Sequence, residues 1–436
     1  MTRGGLEMNR ITEYIDERSD YFWEQALKIH GYAELAGEER QSAEALCAML
    51  EQEGFAVERG LGSQPTAFRA AYGSGGPVIG FLCEYDALPK LNQSEGTSYN
   101  GDGTSGHGCG HNLLGTGAAA AAMALRRELE GSGHGGTIIV YGCPAEETLF
   151  GKTKLAEEGY FKELDAALAW HPEDHYCCGE VCHKAMDSIR FRFHGRSAHA
   201  SVCPELGRSA LDGAEMMSVG ANYLREHVPD GVRIHYSYLS AGEKPNVVPD
   251  FAEVWYFVRS SRRRIVDQVT ERLLQVAEGA AMMSGTQVEW EFLARGRDTR
   301  INSSLAGLAY RCMQRLPVPV WSVQERKMAE ELRETAGTAG TICGELTPPA
   351  GRELPGGGST DFSAVSQIVP AVEINTVCFA QGTPGHHWAV TAQSCSSIGR
   401  KGMLYAAKVL AGMGKELLED PELLNRAREE FLARAE

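Results

Sequence analysis

Three short apolar runs, at residues 77–83, 137–141 and 166–170, constrain this chain more than anything else in it. None shows the polar alternation of a strand that faces water, so each reads as a strand covered on both sides. Helix-length segments separate them: an alanine-rich stretch at 113–125, then residues 152–159. Strand, helix, strand, helix, strand is the alternation of an α/β layer fold. Ligand-type residues follow each run: Asp86 after the first, Glu146 and Glu147 after the second, His171 after the third. Open α/β sheets hold ligands at these carboxyl ends.

Around that frame, residues 9–30 carry Ile11, Tyr14, Ile15, Phe22, Ala26 and Leu27 at helical spacing and predict one amphipathic helix. A second helix at 41–53 stops at Gly54. Residues 66–72 read as a strand, and the polar, glycine-rich 92–106 as a loop. After His183 the pattern changes. Strand 188–193, helix 208–226, strands 232–239 and 253–258, helix 263–283 and strand 287–293 follow in turn. That β-α-β-β-α-β order is that of a ferredoxin-like domain. From Ile301 a helix, the strand 371–375 and a helix near 398–410 resume the first domain. A chain of 436 residues is too long for one ordinary core. The expected division is 1–185 and 299–436 for the first domain, with 186–298 inserted.

A net charge of −16 argues against nucleic acid and anionic membrane as partners. The longest apolar run, near 118–125, is far short of the roughly 20 residues a bilayer span needs. The first residues carry no apolar signal core, and twelve scattered cysteines suit a reducing compartment, so a cytoplasmic location is expected. Residues 356–360 look like a phosphate loop, but no Gly-Lys-Ser/Thr follows.

The chemistry concentrates in Gly106-His107-Gly108-Cys109-Gly110-His111-Asn112. Its glycines free the backbone for a turn, and thiolate with imidazole suits zinc or another first-row divalent ion. Taken singly, the candidates have bland readings: a structural turn for Cys109 and His111, a solvated acid pair for Glu146 and Glu147, a satisfied strand-end histidine for His171. Gathered at the ends of buried strands, with His386-His387 near the C-terminus, they are hard to explain as packing. Adjacent residues point apart in extended chain, so at most one of His386 and His387 is a ligand. Cys177, Cys178, Cys182 and His183 also cluster, but no partner pair at finger spacing follows. A nucleophilic Cys109 with His111 as base is a further reading. It leaves the acid pair without a task.

The segments Cys83-Glu84-Tyr85-Asp86-Ala87-Leu88-Pro89, Gly106 to Asn112, Cys143-Pro144-Ala145-Glu146-Glu147, Trp170-His171-Pro172, Ser197-Ala198-His199-Ala200, Asn246-Val247-Val248-Pro249-Asp250 and Gly382-Thr383-Pro384-Gly385-His386-His387-Trp388 occur in this order. Together they resemble the aminoacylase/carboxypeptidase family of co-catalytic metallopeptidases. The resemblance is to the amidohydrolase branch that includes the p-aminobenzoyl-glutamate hydrolases, and it covers nearly the whole chain. It implies a three-layer catalytic domain, an inserted lid that also carries dimerisation, and two divalent ions, manganese or zinc. Cys109, His111, Glu147, His171 and His386 match the metal ligands, Glu146 the general base, and Asp86 the carboxylate that orients a ligand. His199 matches the histidine that reaches into the site of a second copy of the chain and stabilises the oxyanion. Asn246 and Arg259 match the lid residues that hold a substrate carboxylate.

The activity implied is hydrolysis of the amide bond of N-acyl or aminobenzoyl amino acids. A dipeptidase for basic or β-alanyl residues and a non-catalytic member of a two-chain hydrolase are the alternatives. Read without the resemblance, His199 is an exposed strand-end histidine, Arg259 a solvated basic turn, and Asn246 the start of a turn. Asn112 stands where many aminoacylases carry aspartate. The loop 91–105 is longer than the common pattern and is expected to cover the acyl side of the site.

Overall fold

The apolar runs are neighbouring strands of one six-stranded sheet, in a computed structural model that describes residues 3–132 and 135–434. The strand order is Ala56–Leu61, Gln64–Ser74, Gly136–Gly142, Val78–Cys83, Ala166–Glu173, Ala371–Val377. The first three strands pair antiparallel and the remaining pairs are parallel. Ile79, Phe81, Leu82, Ile138, Val140, Leu168 and Trp170 are all buried. Burial on both faces of the parallel strands explains why their sequences do not alternate.

The helix His111–Ser132 lies on this sheet. A side chain at Gly115 would approach the Glu84 carbonyl to 2.6 Å, and one at Gly117 the Trp170 ring to 2.8 Å. Trp170 Nε1 donates to the Leu114 carbonyl at 2.9 Å. Small residues therefore let the helix backbone ride close, which fixes His111, its first residue, beside the strand ends.

The single helix expected over 9–30 is two helices, Arg3–Glu17 and Ser19–Tyr32. The backbone departs from helix at Arg18, with φ −104° and ψ 11°. Its guanidinium bonds Glu53 and sits over the rings of Tyr14 and Tyr21. The apolar period runs straight through this break, as the burial of Ile11, Ile15, Phe22, Ala26 and Ile29 shows, so periodicity alone does not reveal it.

The chain divides into two compact units: Met1–Val181, Arg300–Leu354 and Ala364–Glu436 form one, Cys182–Thr299 and Pro355–Ser363 the other. The smaller unit has an antiparallel sheet in the order Gln287–Gly296, Ala185–His194, Phe251–Ser260, Arg233–Ser240. With helices Ala210–Leu224 and Arg263–Ser284, this is the ferredoxin-like β-α-β-β-α-β arrangement. Ile189, Phe191, Phe193, Val254, Tyr256, Met217 and Leu273 form its core. No described helix is long and apolar enough to cross a membrane, and all twelve cysteines are free.

Candidate metal centre

The centre is assembled at strand ends by a few exacting turns. Gly110 adopts φ +78°, and a side chain there would meet Pro172 at 2.8 Å. This turn sets Cys109 just ahead of the helix that His111 begins. Cys109 Sγ lies 3.3 Å from His171 Nε2. His171 sits within the strand Ala166–Glu173 rather than after it, and its Nδ1–H donates to the Pro172 carbonyl at 2.9 Å.

Asp86 ties three pieces of chain together. One carboxylate oxygen accepts from His111 Nδ1 at 2.8 Å, and the other accepts the Glu147 backbone N–H at 2.9 Å. His386 Nε2 lies 3.3 Å from Glu147 Oε2. His386 holds φ +52°, a left-handed conformation uncommon for a side chain of this size. Its neighbour His387 points elsewhere: its Nδ1 caps the helix Trp388–Ser394 by accepting the Ala389 N–H at 3.3 Å.

Ligand atoms of Cys109, His111 and His171 lie within 4.8 Å of one another, and so do those of Cys109, Glu147 and His386. Cys109 belongs to both sets. His111 Nε2 and Glu147 Oε1 are buried with no hydrogen-bond partner. A buried polar atom without a partner costs about 1–3 kcal/mol. Two of them facing sulfur and imidazole make a donor set of the kind that zinc or manganese takes, so the residues fit a divalent metal. Cys177, Cys178, Cys182 and His183 form no such group among the described residues.

Burial works against charge on His111, but the Cys109 sulfur and the Asp86 carboxylate outweigh it and raise the imidazole well above its usual value. His171 is likewise disfavoured by burial, yet its contact with Cys109 pushes it up to about 9. Burial raises the Glu147 carboxyl. Burial alone would also raise Asp86, but His111, the Glu147 N–H and Lys152 hold it below the usual carboxylate range.

Glu146 is 8% exposed at the start of the turn Glu146–Thr148, and the remaining three sequence-predicted residues lie in the smaller unit. His199 is exposed, and its Nδ1 accepts the Ser201 N–H at 3.3 Å. Asn246 is exposed on the segment paired with it, where the Ala200 N–H donates to the Asn246 carbonyl at 3.0 Å. Arg259 is half-buried on the strand Phe251–Ser260, opposite Arg233, with Nε lacking a partner. Burial pulls its pKa down.

The sequence pattern of peptidase family M20/M25/M40 matches residues 80–411. The chain belongs to that family. It is 38% identical over 457 residues to the B chain of the Escherichia coli p-aminobenzoyl-glutamate hydrolase, covering 97% of this chain and 95% of the relative. It is 29% identical to the Xaa-Arg dipeptidase of Mus musculus, covering 98% and 92%. Among solved structures, the dinuclear metal-binding M20 peptidase of Bacillus subtilis superposes with a TM-score of 0.61 at 20% identity, covering 93% and 99%. The protein is thus a hydrolase of amide bonds in the M20 fold: an α/β catalytic domain with an inserted ferredoxin-like domain.

Three residues around this centre gave no functional signal in the sequence. Glu39 is fully buried and accepts from the backbone N–H groups of Gly37 at 2.8 Å and Ala145 at 2.9 Å, and from the Thr66 hydroxyl at 3.0 Å. It thereby holds Ala145 at φ +57°, immediately before Glu146. Such strain costs on the order of 1–3 kcal/mol and persists only where the surroundings enforce it. Lys152, also fully buried, lies 2.7 Å from Glu84. His107 donates Nε2–H to the Ile29 carbonyl at 3.0 Å, and burial drives its pKa down to about 3. It is a neutral structural group.

Proposed function

We propose that the protein hydrolyses N-acyl or aminobenzoyl amino acids that carry a free carboxylate, with p-aminobenzoyl-glutamate-like amides first. The observation that carries this reading is the pair of ligand sets sharing Cys109, with Glu146 only 8% exposed beside them. In it, Cys109, His111, Glu147, His171 and His386 hold two divalent ions, manganese or zinc. Bound there, the ions would supply Lewis acidity toward the amide carbonyl and the attacking water.

The chain's own groups do the rest. Asp86 takes the His111 Nδ1–H and leaves Nε2 free as a ligand atom. Glu146 accepts the proton of the attacking water and returns it to the leaving amine nitrogen. His199 accepts at Nδ1, so its Nε2–H is the donor, suited to the oxyanion of a second copy of the chain. Arg259, whose Nε has no partner, pairs with the substrate carboxylate alongside Asn246. Residues 186–298 act as the lid and carry the homodimer contact, and residues 1–185 and 299–436 carry the chemistry. The Escherichia coli relative is named as one chain of a multi-chain hydrolase, which supports a second type of chain as partner. Twelve free cysteines suit a reducing cytoplasm.

The Xaa-Arg dipeptidase relative supports a second reading, a dipeptidase for basic residues. Assays of p-aminobenzoyl-glutamate, N-acyl amino acids and Xaa-Arg dipeptides with added manganese or zinc separate the two. Release of glutamate from the first substrate at the highest kcat/KM is expected. Preference for the dipeptides would replace the first reading with the second, and no release from any substrate would remove both.

A further inference from the structure

The ion pair between Glu84 and Lys152 lies under the centre and has no place in the scheme above. Both side chains are sealed from solvent, Lys152 at 0% and Glu84 at 3% exposure. Lys152 Nζ holds one Glu84 oxygen, Oε1, at 2.7 Å. The other oxygen, Oε2, lies 3.4 Å from His111 Nε2. That nitrogen makes no hydrogen bond and is fully buried. Ligand atoms of Glu84, His111 and Glu146 fall within 4.8 Å of one another.

Asp86 accepts from His111 Nδ1, so Nε2 is the ring atom left to face the Glu84 carboxylate. Two donors held at about 2.0–2.2 Å around one tetrahedral ion are separated by about 3.3–3.6 Å. The His111–Glu84 separation of 3.4 Å falls in that range, as does His386–Glu147 at 3.3 Å.

Building on the metal-centre reading, we propose that Glu84 is a further ligand of the ion that His111 binds, and that Lys152 positions it. Lys152 claims Oε1 and so turns Oε2 toward the His111 nitrogen. A buried lysine is costly unless paired, and this one therefore locks the carboxylate in a single orientation. An added carboxylate oxygen also hardens the donor set, which favours manganese over zinc.

Equilibrium dialysis of the full chain against Mn²⁺, with metal content read by atomic spectroscopy, tests this. Wild type is expected to hold two equivalents. Glu84→Gln is expected to keep one at wild-type affinity and bind the other at least tenfold more weakly, and Lys152→Met to show a smaller loss in the same equivalent. Glu84→Gln removes the carboxylate charge beside buried Lys152 and risks the fold. The double variant Glu84→Gln/Lys152→Met removes both charges, and the same weakened equivalent is expected in it, with a thermal transition close to wild type. Glu84→Asp keeps the charge and withdraws it by one methylene, so it is expected to weaken that equivalent as well. Two equivalents at wild-type affinity in any folded Glu84 variant would overturn the assignment while leaving the five-ligand centre standing. Failure of wild type to hold divalent metal would overturn both.

Discussion

In the larger unit, Asp86 and His111 are buried and tied to one another and to the Glu147 backbone, and Glu39 fixes the backbone next to Glu146 from below. In the smaller unit, His199 and Asn246 are exposed, and Arg259 Nε has no partner. One region has its side chains fixed in place by protein partners, and the other holds its donors on exposed or unpartnered groups. Preorganised charge is what a chemical step needs. Open donors are what recognition needs, because their hydrogen bonds are made only with the substrate. The contrast makes removal of pocket groups a matter of kcat and removal of recognition groups a matter of KM.

The largest expected effect is at Glu146. Glu146→Ala should lower kcat by about 10²–10⁴-fold, the usual contribution of a general base, with metal content unchanged. Retained turnover, measured as amine release, removes Glu146 from that role. His199→Ala should cost about 10²–10³-fold in kcat, as for loss of one oxyanion donor, although the residue lies in the exposed region. An effect confined to KM would move His199 to recognition. Arg259→Ala should raise KM about 10–150-fold, the worth of a charge-assisted bond of about 1.5–3 kcal/mol. The same variant should treat an esterified substrate like wild type, and an equal loss there breaks the carboxylate clamp.

The smallest effect is graded with pH. His171 sits at about 9 in the metal-free protein, above an ordinary histidine near 6.5. Stability from its contact with Cys109 is complete below about 6.5 and lost as pH rises through about 9. A cation must displace that proton and the one held on the raised His111, so metal affinity should rise by at least about tenfold per pH unit up to about 9 and less steeply above it. Calorimetric titration across pH checks this, and a flat profile would place no proton on His171.

The strands were legible because unbroken apolar runs mean burial on both faces, and the inserted domain because its strands and helices follow one recognisable order. Ligand-type residues stood out by falling directly after those runs. The break at Arg18 was not legible, since the apolar period continues through it. Nor were Glu39 and Lys152, because a charged side chain in an ordinary segment reads as solvated until partners from distant chain appear: Ala145 for the one, Glu84 for the other. His107 and His111 make the limit plain. They are four residues apart and equally buried, yet one is driven to about 3 and the other raised. The difference is the Cys109 sulfur and the Asp86 carboxylate beside His111 and a backbone carbonyl beside His107, and of these only Cys109 is visible in the stretch itself.

Electron paramagnetic resonance of the protein at two equivalents of Mn²⁺ tests most directly whether Cys109 is shared between two ligand sets. An exchange-coupled spectrum that disappears in Cys109→Ala is the result expected. Two independent six-line signals, or hydrolysis that persists after complete chelation, would contradict the account.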